Sequence, residues 1–361
     1  MASSTEQEGT PATAAGQDGS LTLGESSAER TENETNTDED ADEESDAEAP
    51  TKVCSACGKQ SDAVKKCTAC KCVWYCDKKC QKKHRKEHKH ECRVIKNIID
   101  RRGGKLNLGE ELDIGPLEKV PPREECPICM RVMPIHQHLH SYAGCCGKTL
   151  CRSCEFQHQT RSGEMVGRTC AFCRTALPKS DEEILVQIRK RVELNDPVAL
   201  WTLSLHYGHG RLGLPVDQAK CVDLLRQAAD LGCPSAQFAL GSYHHTGEMG
   251  LEQNEEKAFK CWEKAAEGGH LPSVHNLGCV EADNGDNVAA MRHWRLSASG
   301  GSKRSMANLV VCFEDGLLRH GALAETLQAM YRSRAEMRSK DRDMFIEHLK
   351  TTGEYEEEYD F

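Results

Sequence analysis

Seven short pairs of potential metal ligands constrain this chain more than any other feature. They are Cys54-x2-Cys57, Cys67-x2-Cys70, Cys76-x3-Cys80, His88-x3-Cys92, Cys126-x2-Cys129, Cys151-x2-Cys154 and Cys170-x2-Cys173. A Cys-x2-Cys turn aims two sulfurs at one point. Residues four apart, as in Cys76/Cys80 and His88/Cys92, share one helix face. The first four pairs supply eight ligands, enough for two tetrahedral zinc sites. A disulfide framework is the alternative use of 21 cysteines. It suits secreted chains, and Met1 to Gln17 has neither the basic start nor the apolar run of a secretory signal. No stretch of eighteen uncharged apolar residues reads as a membrane span. The expectation is an intracellular protein, cytoplasmic or nuclear, with reduced cysteines that mostly bind zinc.

Within Cys54–Cys92, the run VWYC (Val73 to Cys76), then Cys80-Gln81, His88 and Cys92, resembles a MYND zinc finger. The resemblance implies interleaved sites: Cys54, Cys57, Cys76 and Cys80 on one ion, Cys67, Cys70, His88 and Cys92 on the other. Spacing alone also allows a sequential arrangement. Cys72 and His84 fall outside the pattern. The resemblance further implies a protein-interaction module that takes short proline-containing peptides. The lysines of CQKKHRKEHKHEC read as a solvated basic helix face. No series of stacking aromatics accompanies them, so nucleic acid is not the expected partner.

A second cysteine-rich stretch, expected at 123–179, resembles a RING finger through Cys126-Pro-Ile-Cys129, SYAGCCGKTLCRSC (Ser141 to Cys154) and Cys170-Ala-Phe-Cys173. Where that family has Cys-Gly-His, this chain has Cys146, Gly147 and Lys148. A lysine ammonium has no lone pair to give a metal. The RING layout implies one site from Cys126, Cys129, Cys151 and Cys154. The other has Cys170, Cys173 and Cys146, with Cys145 the nearest substitute for the missing histidine and His140 and His158 as distant alternatives. Four structural zinc ions are expected in all. The family also implies contact with a ubiquitin-conjugating enzyme, through Ile128 inside the first pair and Arg174 after the last cysteine. Met130 to Gly144 departs from the usual pattern, and Ala171 stands where proline is common.

Charge divides the N-terminal hundred residues. Residues 1–50 carry fifteen Asp or Glu and one basic residue, Arg30, whereas residues 51–101 carry fifteen Lys or Arg and five acids. The first block cannot bury enough apolar surface to order itself and reads as disordered. A MYND-type finger at 51–100, a linker at 101–122 and the RING-like finger follow. From 181 to 340 apolar residues fall at helical spacing, and the pattern repeats. Leu203, Leu240 and Leu277 lie 37 apart, Gly210 and Gly247 follow by seven, and Ala228-Ala229 recurs as Ala265-Ala266. Such a period marks a helical solenoid, and the Leu-Gly, Tyr-x-x-Gly and Ala-Ala-x-x-Gly pattern resembles Sel-1-like repeats. Residues 341–361 read as an acidic tail.

The expected fold is multidomain: two small zinc-stabilised modules followed by an all-α solenoid, with disordered acidic termini. There is no phosphate-binding glycine loop, nucleophile elbow or His-Glu-x-x-His, and no residue is assigned a catalytic role. The function expected is a zinc-binding scaffold that recruits proteins or peptides through the finger and the repeats. The competing reading is a RING-type ubiquitin ligase that selects substrates through those same parts.

Overall fold

The computed structural model of the chain describes residues 52–160 and 169–355. The acidic block at 1–50 and the last acidic residues lie outside them. The MYND-type finger contains strands β1 (Lys65–Lys66) and β2 (Trp74–Tyr75), paired antiparallel, and helix α1 (Lys78–Arg101). Asp77 caps α1 by accepting a hydrogen bond from the Cys80 N–H at 2.8 Å. The earlier turns of α1 carry Cys80, His88 and Cys92. Its last turns bury Ile95, Ile98 and Ile99 in a core shared with the C-terminal helices.

The RING-like module pairs β3 (His140–Ala143) antiparallel with β4 (Lys148–Cys151), and α2 (Arg152–Thr160) follows directly. Ten helices come after it: α3 (Asp181–Glu193), α4 (Pro197–His209), α5 (Gln218–Asp230), α6 (Pro234–Thr246), α7 (Glu255–Glu267), α8 (Leu271–Asp283), α9 (Asn287–Ser299), α10 (Lys303–Glu314), α11 (His320–Met337) and α12 (Lys340–Thr352). Helices α4 to α9 are each thirteen residues long and pack as consecutive antiparallel pairs.

The 37-residue period has a packing cause. A Cβ on Gly241 would stand 2.6 Å from the Trp262 ring, and one on Gly278 equally close to Trp294. The glycine after Leu240 and after Leu277 therefore makes room for a tryptophan on the paired helix. Ala228, Ala236 and Ala265 are wholly buried, which lets the helix axes approach. Gly210 and Gly247 end α4 and α6 at φ 62° and 74°, the left-handed conformation that closes a helix.

Two parts of the chain differ from the sequence reading. The stretch expected as linker, 101–122, is a strap on the helices. Ile114 is buried, the Leu112 N–H bonds the Leu317 carbonyl, and Arg295 donates to the Gly115 carbonyl at 2.8 Å. The stretch from Asp341 onward, expected as the start of an acidic tail, begins inside helix α12. Its polar sequence hides Phe345, Ile346 and Leu349, which cluster with Leu139 and Phe156 of the RING-like module. Among the described residues no helix is long and apolar enough to cross a membrane.

Candidate metal centres

Four of the Cys-x2-Cys pairs fold alike, and the backbone shows why their spacing works. The residue after the second cysteine is left-handed in each: Gly58 (φ 74°), Lys71 (58°), Met130 (52°) and Arg174 (65°). Its N–H bonds back to the carbonyl of the first cysteine at 2.8–3.0 Å. This tight turn points both sulfurs and several N–H groups to one side. Three of the four positions hold a side chain where glycine is the easy choice, a cost of about 1–2 kcal/mol each that something must offset.

The ligand atoms gather into four groups: Cys54, Cys57, Cys76 and Cys80; Cys67, Cys70, His88 and Cys92; Cys126, Cys129, Cys151 and Cys154; and Cys145, Cys146, Cys170 and Cys173. Within each group all ligand atoms lie within 4.8 Å of one another. The grouping is interleaved in both modules, with none of the sequential sets that spacing allowed. Zinc–thiolate bonds of about 2.3 Å in a tetrahedron put neighbouring sulfurs about 3.8 Å apart. The sulfurs of Cys57 and Cys76 are 3.6 Å apart, Cys67 and Cys92 3.7 Å, Cys129 and Cys151 3.8 Å, and Cys126 and Cys154 3.9 Å. In the fourth group, Cys145–Cys173 spans 3.4 Å and Cys146–Cys170 4.0 Å. These are edges of a tetrahedron the size of a zinc site, and the four groups can each bind a zinc ion.

Local hydrogen bonds favour the thiolate at one cysteine in each of two centres. Burial opposes ionisation of Cys54, but N–H groups of Ala56, Cys76 and Cys57 overcome it and bring the thiol down to about 7. Hydrogen bonds from the Thr175 side chain and backbone bring Cys173 down to about 6. Burial lowers the His88 imidazole, yet the Cys67 and Cys92 sulfurs outweigh it and lift it to about 9. The sulfurs around His88 thus make its surroundings favourable for positive charge. The cysteines of the repeats behave oppositely. Cys221, Cys233, Cys261, Cys279 and Cys312 are all raised by burial, Cys312 to about 11, which leaves them inert thiols.

Lys148 is exposed on β4, opposite Ala143, and takes no part in the fourth group. Cys145 stands with Cys146 instead. His140 is turned away, its Nε2 2.8 Å from the Pro134 carbonyl, and His158 meets Thr169 and Arg174. Cys72 and His84 are outside the groups too. Cys72 lies against His320 at 3.4 Å, and His84 Nδ1 is 2.9 Å from the Tyr75 hydroxyl.

Side chains of the helical array that spacing could not reveal complete two of the centres. His88 turns Nε2 toward Cys70 (3.3 Å) and Nδ1 toward the Tyr331 hydroxyl of α11 (3.3 Å). Tyr331 in turn donates to Glu91 at 3.1 Å. Such a relay fixes the imidazole tautomer and orientation for a metal. Arg342 of α12 is 1% exposed and donates to the Cys129 sulfur at 3.5 Å, to the Val132 carbonyl at 2.8 Å and to the Met337 carbonyl at 2.6 Å. Four thiolates on zinc carry a net charge of −2, so a buried guanidinium beside them is compensated. The signal in sequence was absent, because Arg342 sits in a charged run and Tyr331 lies 243 residues from its partner His88.

The MYND finger family matches residues 54–92, and the Sel1 repeat family matches residues 197–233 and 234–270. Two solved structures are similar in part. One is a Sel1 repeat protein from Oxalobacter formigenes, at 27% identity over 35% of this chain and 96% of that chain, with a TM-score of 0.32. The other is a protective antigen present in uropathogenic Escherichia coli strains displaying an SLR fold, at 20% identity over 57% of this chain and 42% of that one, with a TM-score of 0.37. No curated protein matches the chain. The chain thus combines a MYND finger, a zinc binder, with Sel1 repeats, and the two support a zinc-binding protein-interaction scaffold.

Proposed function

We propose that zinc builds two docking modules onto one helical array, and that the protein works by holding partners there. The eight ligands at Cys54, Cys57, Cys67, Cys70, Cys76, Cys80, His88 and Cys92 hold two ions. A further two lie in the module at 123–179, on Cys126, Cys129, Cys151 and Cys154 and on Cys145, Cys146, Cys170 and Cys173. Each ion supplies folding energy and no reaction chemistry. The observation that carries this reading is the clamp from the array: Tyr331 on the His88 relay and Arg342 on Cys129. Modules tied this way present their outer faces in a fixed relation, as a scaffold requires. The MYND finger takes a proline-containing peptide. Elemental analysis should return four zinc ions per chain, and two ions would mean that one module is empty and the reading wrong for it.

A second reading, ubiquitin ligation, is supported by a specific surface. Ile128 is 39% exposed and Phe172 42%, both on cysteine turns of the RING-like module, and Arg174, two residues after Phe172, is exposed. A conjugating enzyme would bury the apolar pair and meet the guanidinium. An autoubiquitination assay over a panel of conjugating enzymes tests it, with Ile128→Ala expected to abolish transfer while every ion stays bound. Wild type that transfers nothing while four ions remain is a scaffold only.

A further inference from the structure

Between the finger, the RING-like module and helices α6, α8, α11 and α12 lies a cleft of about 1350 Å³. That exceeds the roughly 300–1,000 Å³ of small-molecule pockets and suits a length of polypeptide. One wall is the exposed face of α1 with Lys83 and Lys86. The floor is the ring pair of Phe238 and His270, 4.8 Å between centroids, with Pro272 beside it. The RING-like module is pinned to this floor, because Gln137 bonds both Ser235 (2.6 Å) and His270 (3.1 Å).

Seven Lys or Arg line the cleft against four Asp or Glu, in a chain whose net charge is −10. The four carboxylates are already engaged. Glu87 and Asp343 both pair with Arg338, Glu91 accepts from Tyr331, and Glu347 pairs with Lys350. Lys83 and Lys86 have no carboxylate partner among the described residues, and both face solvent at the rim. Apolar side chains on the floor and unspent ammonium groups on the wall define one complementary chemistry.

We propose that this cleft binds an acidic peptide segment of a partner protein, with an aromatic or aliphatic side chain seated on Phe238 and Pro272 and its carboxylates facing Lys83 and Lys86. The site is distinct from the exposed surface around Ile128 and Phe172. It does not depend on ubiquitin transfer, nor on recognition of proline-containing peptides.

The test uses the full chain with zinc bound, at about 0.15 M salt, where charges beyond about 8 Å are screened. The probe is a fluorescein-labelled twelve-residue peptide of Glu and Asp around one Phe, read by anisotropy. A peptide with Lys in place of the acids should bind at least about tenfold more weakly, and one with Ser in place of Phe about fivefold more weakly. Lys83→Glu combined with Lys86→Glu should lower affinity about tenfold with unchanged zinc content and melting temperature. Lys257→Glu combined with Lys264→Glu, exposed on α7 outside the cleft, should change it less than twofold. Equal losses in the two double variants would overturn the site, since binding would then follow net charge alone. A tenfold gain on deleting residues 1–50 or 356–361 would overturn the partner, because the chain's own acidic segments would be the occupant.

Discussion

In the MYND finger the Cys67, Cys70, His88 and Cys92 centre is sealed against the helical array, with three of its four ligands buried and Tyr331 behind the histidine. The Cys145, Cys146, Cys170 and Cys173 centre of the RING-like module faces away, and only Cys170 is buried. Its hairpin is held from the side. Tyr142 donates to Asp196 at 2.8 Å, and Arg191 pairs with the same carboxylate at 2.9 Å. Each module repeats the arrangement, for Cys126 and Cys151 are buried in a centre whose Cys129 meets Arg342 of α12, while Cys57 is exposed in the finger. A metal centre whose ligands bond side chains of the array is thus a joint between domains, whereas the other centres touch the array only through the residues around their ligands.

The comparison predicts its largest effect for loss of an inner centre. Cys67→Ser and Cys126→Ser should each cost one ion and free a module from the array, since structural zinc supplies on the order of 10–16 kcal/mol to small domains. The consequence should travel unequally. Ile95, Ile98 and Ile99 of α1 share a core with α9 to α11, but the core of α4 and α5 contains no residue of the finger. Hydrogen exchange on Cys67→Ser should lose protection in α10 and α11 and keep it in α4 and α5. Uniform loss throughout the array would break the distinction between the joints and the other centres.

A smaller effect is expected where the array reaches in. Arg342→Met keeps the stem of the side chain and removes the charge, leaving a dianionic zinc centre buried without its cation. Removing one partner of a buried pair costs about 3–5 kcal/mol. Thermal melting should therefore fall with the ion still bound at saturating zinc, and competition with a chelator should show weaker retention. Tyr331→Phe removes the hydroxyl from the His88 relay, and outer partners of this kind are worth about tenfold or more in metal affinity. If both variants retain zinc as wild type does, the clamps are packing contacts and the inner centres are no more protected than the outer ones.

Acid should separate the regions in another way. Burial brings His270 down to about 4, so it stays neutral in the cleft floor. Its folded value lies below the ordinary 6.5, and the unfolded chain therefore binds more protons between those values. Stability from this site is present above about 6.5 and is lost as pH falls toward 4. In urea unfolding followed on zinc-loaded protein, His270→Gln should flatten the difference between pH 7 and pH 5.5 relative to wild type. An unchanged difference would assign the acid sensitivity to other groups, the zinc ligands and the buried His84 and His140 among them.

How far these regions were legible in the sequence follows the same division. Ligand pairs are local, and a two-residue gap or a helical turn fixes their geometry, so Cys54 to Cys92 and Cys126 to Cys173 could be marked before folding. The solenoid was legible because Gly241 and Gly278 must yield space to Trp262 and Trp294, which imprints a period. What joins the parts was not. Arg342, His320 and Tyr331 act across more than two hundred residues and carry no spacing signal. Helix α12 was hidden for a related reason. Its three buried apolar residues are diluted by charge, and only the folded chain brings them Leu139 and the Phe156 ring, 5.3 Å from Phe345, to pack on.

The smallest predicted effect belongs to Lys148, the residue that stands where the family expects a ligand. Its side chain is exposed on β4 while Cys145 and Cys146 both turn toward Cys170 and Cys173. The turn that allows this begins with the Ala143 carbonyl, which accepts from the N–H groups of Cys146 and Gly147 at 3.1 and 2.8 Å. Gly147 has a φ of 71°, and a Cβ there would strike the Arg191 guanidinium. The loop thus brings two adjacent cysteines to one ion by a tight glycine turn, and the lysine beyond it has no role in the centre. Lys148→Ala should leave zinc content at four and stability within about 0.5 kcal/mol, as exposed substitutions do. Cys146→Ser should cost one ion, because a hydroxyl is a poor zinc ligand beside thiolates. Cys145→Ser decides the matter. Loss of that ion makes the adjacent cysteines a working substitute for the family's histidine, whereas retention would return the missing ligand to His140 and dissolve the outer centre as drawn.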